Sequence, residues 1–297
     1  MQHPHPASGA WHTRCDEQTS LEKCLQKLIR NRRSLIELLS VIQIGMRSIA
    51  PHASLILKGG AAFSCHLWGD TNTVACCLGR VDRIRDIDLE LHVQPAAQNH
   101  NEDAIFAALC NAVDHLNYRF APLVLASIRL PSTSRIVHSP PVCTRHWVGP
   151  EHVWCHGHRP GPIVAIRRGA CHGNSEDFLL WRIALAVADA YGRIHYLPFV
   201  DISQHPHPDF MRSGLAASGA LQPAARDIQQ CAATHAKCEW RCEVFTLSVL
   251  QSDLRRMLVR ESNLRPWLGI DSGKTVDRRT IVLGACGIGQ LDDGSSQ

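Results

Sequence analysis

Residues 84–93 read Ile-Arg-Asp-Ile-Asp-Leu-Glu-Leu-His-Val, and this alternation constrains the fold more than any other stretch of the chain. Ile87, Leu89, Leu91 and Val93 fall on one side, and Asp86, Asp88, Glu90 and His92 on the other. That period of two belongs to a strand with one buried and one polar face. It projects the carboxylates of Asp86 and Asp88 from the same face, about 7 Å apart along the backbone. Two carboxylates so placed repel each other unless a cation lies between them. Hard cations such as Mg²⁺ take this kind of oxygen ligand and share it with substrate phosphates. Taken alone, an Asp-x-Asp strand fits an exposed acidic edge equally well.

The segment upstream narrows the choice. Residues 54–57 form a short apolar run that suits a buried strand, followed by Lys58, the pair Gly59-Gly60 and a small-residue helix start at Ala61. Two glycines at a strand-to-helix turn leave the backbone open to close approach. Their N–H groups and the helix N-terminus make a place for a polyphosphate. Lys58 either adds charge near such phosphates or points away on the strand. Around this unit, residues 21–48 carry apolar positions at helical spacing behind a capping box at Thr19 and Glu22, as one long helix or two broken near Asn31. Residues 102–116 read as a helix and 123–130 as a strand. Residues 178–203 read as two strands joined near 189–193, although the alanine-rich first half also fits a helix.

In this order (strand, Gly-Gly, helix, then a strand bearing Asp-x-Asp) the chain resembles the polymerase-β-like nucleotidyltransferase superfamily. Leu57-Lys58-Gly59-Gly60-Ala61-Ala62 and Arg85-Asp86-Ile87-Asp88-Leu89 look most like its abortive-infection-type toxin branch and its divergent large-DNA-virus branch. The resemblance covers residues 54–93 and extends more loosely to about 203. It implies that Gly59 and Gly60, with Lys58 beside them, cradle a nucleoside triphosphate, and that Asp86 and Asp88 hold Mg²⁺ or Mn²⁺. It also implies a third carboxylate on a later strand that completes the metal site or acts as base. Asp201, after the apolar run 197–200, is the candidate, with Glu90 as fallback; a strand-ending Asp that caps the next turn is the other reading of Asp201. Twenty-five residues separate Gly60 from Asp86, more than is usual in the family, so residues 65–84 are read as a longer helix plus an inserted loop.

The expected fold is α/β (α+β): a small mixed sheet with flanking helices, followed by a mainly helical C-terminal part. The chain divides into a disordered leader at 1–18, a nucleotidyltransferase-like domain at 19–205 and a helical region at 206–297 with a loose tail. The expected activity is metal-dependent transfer of a nucleotidyl group from an NTP to an acceptor, whether an RNA end, a protein or a small molecule. A catalytically decayed binding module is one alternative. A zinc-stabilised interaction protein is another, because Cys143, His146, His152, Cys155, Cys171 and His172 have spacings that zinc accepts. Cys231, Cys238 and Cys242 lie at near-helical spacing and read as core or surface thiols.

Composition sets outer limits. Hydrophobic residues make up 45% of the 297 and charged residues 20%, which suits a chain with a sizeable core. No apolar run approaches the roughly 20 residues that span a bilayer, and residues 1–6 have no secretion-signal pattern. A cytoplasmic, membrane-free protein is therefore expected. The thirteen cysteines are an odd number, which fits reduced thiols better than a disulfide framework. The net charge of +4 is too small to argue for a dedicated nucleic-acid binder.

Overall fold

The computed structural model describes residues 23, 32–67, 87–93, 102–119, 130, 132–138, 140, 145–148, 151–156, 161–168, 179–203, 227–235, 238–250 and 252. The expected leader, the capping box at Thr19 and Glu22, the strand at 123–129 and the tail lie outside these residues, as does Asp86.

Three long helices are described, α1 (Arg32–Ile49), α2 (Gly59–Leu67) and α3 (Glu102–Arg119), besides a helical turn at 247–250. They accompany ten strands: β1 (Ala53–Lys58), β2 (Ile87–Val93), β3 (Arg135–Ile136), β4 (Arg145–Val148), β5 (Glu151–His156), β6 (Ile163–Arg168), β7 (Leu179–Ala188), β8 (Ile194–Ser203), β9 (Ile228–His235) and β10 (Cys238–Phe245). All ten belong to one mixed sheet ordered β4-β5-β6-β7-β8-β2-β1-β10-β9, with β3 beside β7. Strands β4 to β8 form an antiparallel meander. Two parallel pairings, β8 with β2 and β1 with β10, tie this meander to the remaining strands.

α1 forms because Leu35, Ile36, Leu39, Ile42 and Met46 recur at helical spacing, and all five are buried. Two buried polar residues of α1 fasten it to the sheet. The Gln43 side-chain amide donates to the Leu55 carbonyl and its oxygen accepts from the Glu243 N–H. Ser40 Oγ lies 2.6 Å from the Arg241 carbonyl. α1 also crosses α3 closely: a Cβ placed on Gly45 would come 2.5 Å from Ala112 Cα. α3 in turn reaches β6, where the Asn117 amide both donates to the Ile163 carbonyl and accepts from its N–H, at 2.8 and 2.9 Å. The side chain thereby substitutes for a neighbouring strand.

Phe106 of α3 packs at 5.8 Å on the ring of Trp181, which is fully buried on β7. Trp181 and Arg182 alternate along that strand, so the face bearing Arg182 is opposite the face covered by α3.

The mixed α and β architecture expected from the sequence is present, with three differences. The sheet is large, with ten strands. Within the region expected to be helical after residue 205, residues 247–250 are helical, whereas residues 228–235 and 238–245 form β9 and β10, which join the same sheet as β1. Local alternation explains this: Glu239 and Arg241 are exposed, whereas Cys242 and Val244 are buried. The period is two, so a strand satisfies it and a helix does not. Cys231 and Cys242 are consequently cross-strand partners in the core, and Cys238 is exposed. Finally, the face of β2 expected to be polar and open is largely covered, because Glu90 and His92 are buried with the apolar residues.

Candidate active site

β1 pairs antiparallel with β2 so that Lys58 is opposite Asp88. β2 pairs parallel with β8 so that Asp88 is opposite Asp201. β8 pairs antiparallel with β7 so that Asp201 is opposite Arg182. In-register residues project from the same face. Four charged side chains therefore form one row across four adjacent strands, in the order cation, carboxylate, carboxylate, cation. Asp88 and Asp201 stand about 5 Å apart at the backbone, one strand spacing.

The glycine pair closes on this row. Gly59 follows β1 and opens α2 with φ of +68°, a conformation that costs a non-glycine residue strain. It also lies directly against Asp88, since a Cβ at Gly59 would fall 2.4 Å from Asp88 Oδ2. The missing side chain is what lets the turn approach the carboxylate. The Gly59-Gly60 turn thus stands at the N-terminus of α2 with Asp88 at its side.

Lys58 does not reach toward the carboxylate pair. Its Nζ donates to Glu90 Oε2 at 3.0 Å and to Ser203 Oγ at 2.6 Å. The Glu90 side chain is only 1% exposed, and Lys58 supplies the positive charge beside it. Glu90, the fallback for a third carboxylate, is engaged with Lys58 and lies 3.8 Å from His92 Nε2. On the far side of the row, Arg182 Nε donates to Asp201 Oδ1 at 3.0 Å. Asp201 is therefore a mid-sheet carboxylate with a cation partner, and the strand continues past it to Ser203.

Of the six residues expected to form the nucleotide and metal site, the structure sets Gly59, Gly60, Asp88 and Asp201 side by side, and places Lys58 on the adjoining strand position with its ammonium on Glu90 and Ser203. The sixth, Asp86, lies outside the described residues. Among the described residues, no group of three or more His, Cys, Asp and Glu side chains is placed to hold a metal ion. By donor chemistry Asp88 and Asp201 fit a hard cation, and Asp88 Oδ2 stands against the Gly59 backbone. Of the residues considered for zinc, His146 lies on β4 and His152 and Cys155 on β5, whereas Cys143, Cys171 and His172 lie outside the described residues.

Arg182 and Ser203 were not singled out from the sequence. A signal for Arg182 was available, since it is the one charged residue in β7. No helix among the described residues is long and apolar enough to cross a membrane. Comparison with protein-family models, with curated proteins and with solved structures gives no match.

Proposed function

We propose that the chain is a metal-dependent nucleotidyltransferase of the polymerase-β-like kind, acting in the cytoplasm on a nucleoside triphosphate. The observation that carries this reading is the contact of the Gly59-Gly60 turn with Asp88, combined with the in-register pairing of Asp88 and Asp201. Such a reaction needs a phosphate-cradling turn beside a pair of metal-ligating carboxylates, and the contact of Gly59 with Asp88 and the register of Asp88 with Asp201 support that reading.

In this reading Asp88 and Asp201, with Asp86, hold Mg²⁺ or Mn²⁺. The backbone N–H groups at Gly59 and Gly60, at the start of α2, receive the triphosphate. Lys58 stays on β1 and neutralises Glu90, which keeps the strand junction beside the site intact. When bound, the divalent ion supplies charge neutralisation for the triphosphate and activation for an acceptor hydroxyl. The acceptor is an RNA end, a protein side chain or a small molecule.

The test is incubation of the protein with α-labelled NTPs, Mn²⁺ or Mg²⁺ and a cell extract. Label should pass covalently to an acceptor with the parent chain and not with Asp88→Asn. Absence of transfer, together with absence of any metal- and nucleotide-dependent stabilisation, would leave the acidic pair as a purely structural feature.

A further inference from the structure

The two cations that end the charged row differ in how they are held. Lys58 is engaged with Glu90 and Ser203, both nearly buried, and its side chain is 19% exposed. Arg182 donates to Asp201, and both partners are partly exposed, at 34% and 25%. β7 carries no other charge. A lone guanidinium has therefore been placed on an otherwise apolar strand, in register with one of the two carboxylates that a divalent ion would bridge.

Building on the nucleotidyltransferase reading, we propose that Arg182 is a built-in counter-cation for Asp201 that competes with the divalent ion for the same carboxylate. In the metal-free chain the guanidinium offsets the repulsion between Asp88 and Asp201. An ion bridging the two carboxylates brings a double positive charge to the place where the guanidinium donates, and like charges so close cannot both keep full contact with Asp201. Arg182 is the displaceable partner, because its long side chain is partly exposed and its pairing is of the weak, solvent-screened kind. Once released, its planar fork of donors is suited to phosphate oxygens. The guanidinium thus holds the repelling carboxylates together without metal and would be freed beside them when metal binds.

This assignment predicts a sign that a merely structural ion pair does not. Removing Arg182 should strengthen binding of the metal alone. The experiment titrates Mn²⁺, without nucleotide, into the full-length parent, Arg182→Gln and Arg182→Lys, with bound ion read by electron paramagnetic resonance. The expected Kd for Arg182→Gln is roughly five-fold lower than for the parent, the scale of a partly exposed ion pair, and Arg182→Lys should stay near the parent value. If the glutamine variant does not fold, as judged by circular dichroism, Arg182→Met makes the same test with an apolar chain of similar length. A Kd that is unchanged or raised when the charge is removed, or lowered equally by lysine, overturns the competition while leaving the nucleotidyltransferase reading intact. Failure of the parent and all variants to bind Mn²⁺ overturns both.

Discussion

Asp88 on β2 and Asp201 on β8 are register partners of a parallel strand pair, so their carboxylates leave the sheet side by side from one face. A ligand bound only by the folded state raises its stability. On the nucleotidyltransferase proposal, Mn²⁺ or Mg²⁺ with a nucleoside triphosphate should raise the melting temperature of the parent chain. Asp88→Asn removes one hard ligand and one repelling charge at nearly constant shape, so the variant should stay folded yet lose the metal-dependent shift. Asp201→Asn should behave likewise, at a cost of at most about 1 kcal/mol for the exposed pairing with Arg182. Thermal melts with and without metal and nucleotide check this, and a parent that does not respond would sink it.

Gly59→Ala combines two penalties. The residue has φ of +68°, and the new methyl would lie 2.4 Å from Asp88 Oδ2. We expect a loss of about 2 kcal/mol or more in urea unfolding, together with weaker Mn²⁺ binding as Asp88 is pushed aside. Gly192→Ala is the control: its φ is +75° but no atom lies within 4 Å of the added Cβ. It should show the backbone strain without the loss of metal. Equal effects on Mn²⁺ at both positions would refute the contact.

Lys58→Met removes the ammonium beside a carboxylate that is 1% exposed. Taking one partner from a buried pair is costly, on the order of 3 kcal/mol. Lys58→Met combined with Glu90→Gln should recover part of that loss, because the carboxylate charge goes with its partner. The four stabilities form a double-mutant cycle. Strict additivity would mean that Lys58 and Glu90 do not stabilise each other.

How far could the site be read from the sequence? Asp88 was legible because the period-two pattern of residues 87–93 fixes which side chains share a face. Asp201 was legible because an apolar run leads into it and the family resemblance calls for a late carboxylate. Arg182 was not, because its meeting with Asp201 depends on register. That register shifts twice along β7 and β8: Ile183 pairs with Val200 but Ala184 with Pro198, so Phe199 is skipped. Pro198 lacks an N–H and tolerates this bulge, yet nothing in the local pattern announces the offset. The β9–β10 hairpin was misread for a different reason. Its cysteines sit at spacings close to a helical turn, and only the burial of alternate residues separates strand from helix.

Asp189 gives a prediction about acid. Its Oδ1 accepts from the Tyr191 and Arg193 N–H groups at 2.8 and 2.9 Å, and its Oδ2 lies 3.0 Å from His195 Nε2. Burial pushes its pKa up, but the hydrogen bonds from His195, Arg193 and Tyr191 and the His195 charge outweigh it and leave the carboxyl below its ordinary value. A depressed native pKa means that the unfolded chain takes up the proton first. The stabilisation is present above the unfolded value of about 3.9 and disappears as pH falls through the native one. Asp189→Asn should therefore flatten the acid limb of the stability profile. An identical acid limb in parent and variant would show that this turn does not contribute.

The closeness of α1 and α3 is tested by Gly45→Val. The added Cβ alone would meet Ala112 Cα at 2.5 Å, and backbone cannot yield as a side-chain tip can. Overpacking of this kind costs about 1–3 kcal/mol, to be read as a lower urea midpoint. Gly45→Val with Ala112→Gly should restore only a little, since the clash is with the Cα as well as the Cβ.

The parallel joint between β8 and β2 has a consequence for the chain as it is synthesised. β1 and β2 emerge from the ribosome well before β7 and β8, so β2 must wait with one edge unpaired. A bare edge strand is a template for association with other chains, and charged residues along it are the usual deterrent. Asp88 and Glu90 stand on that waiting strand. Asp88, proposed above as a metal ligand, and Glu90, the partner of Lys58, would in the nascent chain guard β2 against pairing with strangers until the β7–β8 hairpin arrives. A variant that neutralises both should aggregate during synthesis more than its equilibrium stability would suggest.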